Sequence, residues 1–430
     1  MKELLYPPVL HWEVTPECNH NCIHCYNYWR KEPEKKNESV KDHSAIAKKI
    51  VERHPVSVVV TGGEPLIVFE AIKDSLRLLR ENGISISINT NATLVTQEIA
   101  EFMAKLKISA FVSLPCCEYS ICDSITNVKD SLSKISEGIK TLLNAGVRVS
   151  VNMVVSKRNL YYIYETAKFA KEELGLESFF ASRVSKPINS DTEFCKELLN
   201  KEDVQKLQND LLRIAKDFDM RVATAGPLPV CSLTEEETFQ QFAFTRNCTA
   251  GKISYSIDYS GNIKACARDV QIYGNILTDN FSDVWNRMKD WRDETFLPVE
   301  CQECNVKQSC KGGCRLDAFP HTGTRNALDP MADVSKLPIK FVKKMNFKQM
   351  NMEQTFIVPK TIQFVQEVFG WRVNVGSRFI YITDELKQHL SNCTEICINE
   401  FMQKFDVDYQ TTNDLMNLLV DNKIIFMRKE

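Results

Sequence analysis

No apolar run in this 430-residue chain approaches the ~20 residues that span a bilayer, which excludes a helical membrane protein. Nor is there an excess of charge of either sign: 54 basic against 56 acidic side chains leave a formal net charge of −2. That removes the electrostatic basis for nucleic acid or a membrane surface as a partner. The N-terminal stretch "MKELLYPPVLHWEV" lacks a signal-peptide core with a small-residue cleavage site, so a cytoplasmic protein is expected. No internal repeat or low-complexity tract interrupts the chain. One local shortage matters more. "CNHNCIHCYN", residues 18–27, supplies Cys18, Cys22 and Cys25 and then no fourth cysteine, although a closed zinc or iron–sulfur site takes four ligands.

What is present is the texture of a soluble globular protein, 43% hydrophobic and 26% charged, long enough for two or three domains. Sixteen cysteines would mean disulfides in a small secreted chain. Here most fall in two tight groups, at 18–25 and 301–314, with Cys248 and Cys266 as looser members. In a large intracellular chain such clustering reads as metal binding.

Residues 1–225 alternate β-type runs with helical ones. Six strands are expected, in "VLHWEVT", "SVVVTGG", "ISISINTNA", "ISAFVSLP", "VRVSVNMVV" and "ESFFASRV". Helices are expected over 70–82 and 128–146, the second closed by Asn-Ala-Gly. Strands alternating with helices imply parallel pairing with right-handed crossovers, hence an α/β fold, a partial (β/α)6 barrel or open sheet. In such folds chemistry sits at the C-terminal ends of the strands, where the cysteine loop and "TGGEP" (61–65) both fall. Residues 226–335 are irregular and cysteine-rich, with metal as the expected staple. Residues 331–350 read as a connector. Residues 351–430 read as a β-hairpin ("WRVNVGSRFIYIT") with three short helices, a small winged-helix-like domain.

Three thiolates on one loop hold three irons of a [4Fe–4S] cube and leave the fourth iron open; the alternative is a zinc site completed by His20 or His24. The CxxxCxxC loop after the first strand of an α/β barrel resembles the radical S-adenosylmethionine (SAM) superfamily. The resemblance implies that Cys18, Cys22 and Cys25 are the catalytic ligands of the cube. Its free iron would bind the amino and carboxylate groups of SAM and, given one electron, yield a 5′-deoxyadenosyl radical. It further implies SAM contacts along the strand ends. Gly62, Gly63 and Glu64 of "TGGEP" would meet the SAM amino group, and Asn89 and Asn91 of "NTNA" the sugar and carboxylate. Ser113 and Asn152 match positions that contact SAM polar groups, and Tyr26 is placed to pack near the adenine.

Farther on, Cys248 is followed by Gly261 and Cys266, then by Cys301-x2-Cys304-x5-Cys310-x3-Cys314. This is similar to the SPASM extension of radical SAM enzymes, which holds auxiliary iron–sulfur clusters. By that resemblance Cys248, Cys266 and Cys314 belong to an inner cluster and Cys301, Cys304 and Cys310 to an outer one. The family pattern ends with one more cysteine; here "LDPMA" puts Ala332 in its place. Asp329 is the nearest oxygen ligand for the outer cluster, which would otherwise be open or absent. The inner cluster has room for a substrate thiolate or for another ligand such as Cys231, whose other reading is a buried structural thiol. Cys116 and Cys117, in "PCCEYSIC", read either as hydrogen-atom donors near the SAM pocket or as ordinary reduced cysteines.

The tail resembles the leader-binding module of ribosomal peptide maturation, and it lacks a basic recognition helix for DNA. The whole therefore resembles a radical SAM peptide maturase. The partners implied are a peptide or protein substrate with a leader segment and an electron donor such as flavodoxin or ferredoxin, with no nucleic acid and no membrane. The rival enzyme is an oxidase of a haem precursor or of a sulfatase-type residue. The rival of another class is a zinc or iron–sulfur regulator without turnover.

Overall fold

A computed structural model describes residues 4–5, 7–27, 42–233, 235–243, 247–342 and 347–428; residues 343–346 of the expected connector lie outside this set. All six expected strands form: β1 (Val9–Glu13), β2 (Ser57–Thr61), β3 (Ser85–Thr90), β4 (Ser109–Ser113), β5 (Val149–Val155) and β6 (Ser178–Arg183). They pair parallel in chain order. A seventh, β7 (Arg221–Thr224), adds parallel to β6. Its four residues are too few to carry an alternating signal.

Helices cover the sheet as their periodicity requires. Phe69–Glu81 turns Ile72, Leu76 and Leu79 inward at one-turn spacing, all fully buried. Each such side chain contributes about 1.5–3 kcal/mol relative to exposure. The helix Ser131–Asn144 ends at Ala145, and Gly146 follows with φ +84°, a left-handed turn that suits glycine.

On the other edge of the sheet the cysteine-rich segment does not fold apart. Its strand β8 (Ser254–Ile257) lies parallel to β1, pairing Val9 with Ser254 across most of the chain. Strands β9 (Asn262–Lys264) and β10 (Gly274–Asn275) then turn back antiparallel. The result is one ten-stranded sheet in the order β10-β9-β8-β1-β2-β3-β4-β5-β6-β7. One apolar core runs through both parts, from Leu10 and Trp12 to Tyr255, Trp285 and Ile339.

A second core, Met350 to Ile425, belongs to the C-terminal unit. Strand β11 (Thr355–Ile357) precedes a meander of β12 (Gln363–Glu367), β13 (Gly370–Val375) and β14 (Arg378–Ile382). The helices Asp384–Asn392, Ile398–Phe405 and Tyr409–Asp421 follow, with β15 (Glu395–Cys397) between the first two and β16 (Phe426–Met427) after the last. Both late strands flank β11. Helix, strand, helix, helix, strand is the winged-helix order, with the third strand drawn from upstream. The fully buried Arg372 joins this unit to the barrel: it lies 3.6 Å from Glu367 and donates to His54 O. No described helix is long and apolar enough to cross a membrane.

Candidate active site and metal centres

The loop after β1 is held rigidly before any ligand is considered. Asn21 N and Ile23 N donate to Thr126 O and Ile125 O at 3.1 and 2.9 Å, and Asn127 Nδ2 donates to Asn21 O at 2.7 Å. Gly63 N and Glu64 N donate to Thr15 O and Glu17 O, each at 2.7 Å. This close approach explains the paired glycines. A Cβ on Gly62 would lie 2.4 Å from Thr15 O, and one on Gly63 would lie 1.8 Å from Glu17 O. The backbone that comes so near is the chain's own cysteine-loop root.

Cys18, Cys22 and Cys25 line a cavity of about 820 Å³ at the C-terminal ends of the strands, together with Tyr26, Gly62, Gly63, Glu64, Asn89, Asn91, Ser113 and Asn152. The expected residues thus converge on one space, but they are committed differently. Glu64, 1% exposed, accepts from Leu66 N at 3.1 Å, from the Thr90 hydroxyl at 2.7 Å and from Asn91 N at 2.7 Å. Burial pushes its carboxyl up to about 7, against the pull of those donors. Asn91 donates to Asn19 Oδ1 at 2.8 Å, and its own oxygen accepts from Thr93, so it pins the cysteine loop to the end of β3. Asn152 and Ser182 bond each other at 3.2–3.3 Å.

Cys248, Cys266 and Cys314 line the same cavity. The two three-cysteine groups are coupled by a buried ion pair: Lys264, just before Cys266, donates to Glu13, at the end of β1, at 2.6 Å. Arg268 lies 3.5 Å from Cys314 Sγ and pairs with Asp317 at 2.6 Å. Arg183, ending β6, pairs with Asp317 at 2.6 Å and Asp329 at 2.7 Å. Burial alone would raise Asp317, but Arg183 and Arg268 hold its carboxyl well below the usual range.

This network corrects one expectation. Asp329 is not an oxygen ligand. Its Oδ1 accepts from Arg183 and Met331 N, and its Oδ2 from Arg183 and Cys314 N, so its lone pairs are spent. Neither Cys116 nor Cys117 lines the cavity, although Ser113 and Pro115 do. Cys116 Sγ instead accepts from Glu118 N, and Cys117 N donates to Thr166. The outer group, Cys301, Cys304 and Cys310, lines a separate small cavity with Ala332 and Cys231. Burial pushes the Cys231 and Cys301 thiols up to about 11, so a metal arriving there displaces protons. Sequence reading did not find Arg183, Arg268 and Asp317. Arg183 carried a signal, a charged residue closing a predicted strand, whereas Asp317 carried none.

The residues fit the cofactors implied above. Asn27 Nδ2 donates to Gly62 O, yet its buried Oδ1 on the cavity wall has no hydrogen-bond partner. Among the described residues no group of three His, Cys, Asp or Glu is arranged around one metal ion.

Comparison with known proteins agrees. An AdoMet-dependent heme synthase of Oleidesulfovibrio alaskensis is 24% identical over 74% of this chain and 85% of its own. The antilisterial bacteriocin subtilosin biosynthesis protein AlbA of Bacillus subtilis is 24% identical over 72% of this chain and 68% of its own. The fold is similar to that of Streptococcus suis SuiB bound to S-adenosylmethionine, with a TM-score of 0.61 at 20% identity over 78% of each chain. SuiB bound to precursor peptide SuiA matches with the same TM-score, over 77% of this chain and 76% of its own. Residues 12–170 match the Radical SAM superfamily, and the chain carries a radical SAM domain.

Proposed function

We propose that the chain is a radical SAM maturase of a ribosomally made peptide, forming a thioether or carbon–carbon crosslink or a related oxidation. The observation that carries this reading is the pairing of two incomplete cysteine groups on one large cavity with a separately cored C-terminal unit. In this reading residues 1–225 are the catalytic barrel, 226–335 the auxiliary-cluster segment and 351–430 the peptide-recognition domain. When bound, the cube and SAM would supply the hydrogen-abstracting chemistry of a 5′-deoxyadenosyl radical. The chain's own residues do the rest. Cys18, Cys22 and Cys25 anchor the cube, leaving one iron for SAM. Glu64 and Asn91 keep the cysteine loop registered against the ends of β2 and β3, and Asn89 and Ser113 face SAM. Cys248, Cys266 and Cys314 hold the inner auxiliary cluster toward the same space, with a position left for a substrate sulfur. The barrel wall keeps bulk water from the radical.

The C-terminal unit would add a leader strand to an exposed sheet edge, which raises the effective concentration of the core peptide at the cavity. A flavodoxin- or ferredoxin-type donor in the cytoplasm would supply the electron. The bacteriocin-biosynthesis relative supports a peptide; the heme synthase relative supports a second reading, oxidation of a haem precursor. The test is binding and turnover of both substrate classes by the anaerobic protein, with and without residues 351–430. Peptide binding that depends on 351–430, coupled to 5′-deoxyadenosine formation, is the expected result. Turnover of a porphyrin by the truncated protein would overturn it.

A further inference from the structure

We propose that Cys231 is the fourth protein ligand of the outer iron–sulfur cluster, taking over the role of the cysteine that Ala332 replaces. This rests on reading Cys301, Cys304 and Cys310 as ligands of that cluster. Cys231, Cys301, Cys304 and Cys310 all line one small cavity, and Ala332 lines it too. The position that lost its thiol and the thiol that replaces it therefore look into the same space.

The local bonding locks this arrangement. Cys231 sits in the short turn Val230–Ser232, entered through Pro229, which also borders the cavity. Val230 N donates to Cys310 Sγ at 3.3 Å, tying that turn to the cysteine-rich segment. Asp333 N donates to Cys231 Sγ at 3.2 Å. The stretch that would otherwise carry a cysteine at 332 thus delivers a backbone N–H to the sulfur of Cys231. Backbone N–H groups donating to sulfur stabilise a cluster thiolate and tune its potential. Among the described residues no competing ligand is at hand: Asp329 is spent on Arg183 and backbone N–H groups, and Cys397, in the C-terminal unit, bonds Met352 O.

The functional consequence separates the two auxiliary sites. With four thiolates the outer cluster has no iron for a substrate, so it serves structure or electron transfer. The inner group keeps its vacancy on the large cavity.

The test is iron and sulfide content with Mössbauer and electron paramagnetic resonance spectra of the anaerobic full-length protein, compared among Cys301→Ala, Cys231→Ala, Cys231→Ser and Cys231→Ala/Ala332→Cys. Cys301→Ala is expected to lose about four irons, one cubane. Cys231→Ala is expected to lose the same four or to convert that cluster to a three-iron form, and Cys231→Ser to shift its spectrum. Restoration by Ala332→Cys in the Cys231→Ala background would separate lost ligation from lost packing. Full iron and an unchanged spectrum in Cys231→Ala, beside iron loss in Cys301→Ala, would overturn the proposal while leaving the outer cluster standing. Full iron in Cys301→Ala would remove the outer cluster itself, and the proposal with it. Iron loss in Cys231→Ala that Ala332→Cys does not restore would mark Cys231 as a packing residue and also overturn it.

Discussion

The two cysteine-lined cavities differ in size and in how many thiols each group presents. The large one, about 820 Å³, is faced by two groups of three, Cys18/Cys22/Cys25 and Cys248/Cys266/Cys314. The small one is lined by four, Cys231/Cys301/Cys304/Cys310. A group of three beside a substrate-sized space leaves a coordination position where a reactant can enter. A group of four beside a small space leaves none and has no reactant to meet. On the proposed ligation the same residue type is put to opposite uses, decided by count and by the room left beside it.

The largest effect should come from the first group of three. Cys18→Ala is expected to abolish SAM-dependent 5′-deoxyadenosine formation, a loss of at least 10³-fold, with about four irons missing; product analysis and an iron count check both. An unchanged yield would break the comparison at its root. Cys248→Ala, in the second group, sharpens it: Cys248 is only half-buried, so the fold should tolerate the change. Substrate modification should fall at least 100-fold while uncoupled 5′-deoxyadenosine formation stays within a few-fold. If both fall together, the two groups do not have separate tasks.

These groups were unequally legible in the sequence. Cys18, Cys22 and Cys25 are encoded by local spacing on one loop, and the strand and helix before and after them carry their own hydrophobic periods. The barrel was readable for that reason. Cys231 was read as a candidate for the inner group and lies instead beside the outer one, because 70 positions separate it from Cys301 and its placement depends on how the turn at 230–232 meets the segment at 331–334. The same holds for β8, which pairs with β1 only after the intervening barrel is built. In the C-terminal unit the alternation of β13 and β14 was visible, whereas β15 was not, because its partner β11 lies some forty residues upstream. Asp329 misled for a physical reason: a carboxylate near a cysteine cluster resembles a ligand until a buried arginine is found on it.

That arginine gives the next test. Arg183 is the bolt between the end of β6 and the cysteine-rich segment, with side chain and both acidic partners at most 8% exposed. Arg183→Met leaves two buried carboxylates, one of them still paired with Arg268. Breaking a buried pair typically costs about 3–5 kcal/mol, so the midpoint of thermal or denaturant unfolding should drop accordingly. Arg183→Met/Asp329→Asn should recover part of the loss, since the newly unpaired charge is gone. No change in Arg183→Met would mean that the end of β6 and the cysteine-rich segment are not held together at this point.

The smallest expected effect concerns Glu64, on the wall of the large cavity. Burial places its carboxyl near 7 in the SAM-free protein, above the ordinary carboxylate value. A raised pKa means the folded chain binds a proton there that the unfolded chain has already released. Its contribution to stability is therefore present below about pH 4.5 and is lost as pH rises through about 7. SAM works against this. If its amino group donates to Glu64, the ionised carboxylate is the form that binds, and a proton must leave below pH 7. SAM affinity should then rise with pH up to about 7 by at most tenfold per unit, about 1.4 kcal/mol, and flatten beyond. Glu64→Gln cannot titrate, so its affinity profile should be shallower by that increment, even though Gln still satisfies some of the donors from Leu66, Thr90 and Asn91. Parallel profiles for the two proteins in equilibrium binding would confine Glu64 to holding the cysteine loop. A difference confined to the range below pH 7 would give it a direct part in seating SAM, which no residue around the small cavity could share.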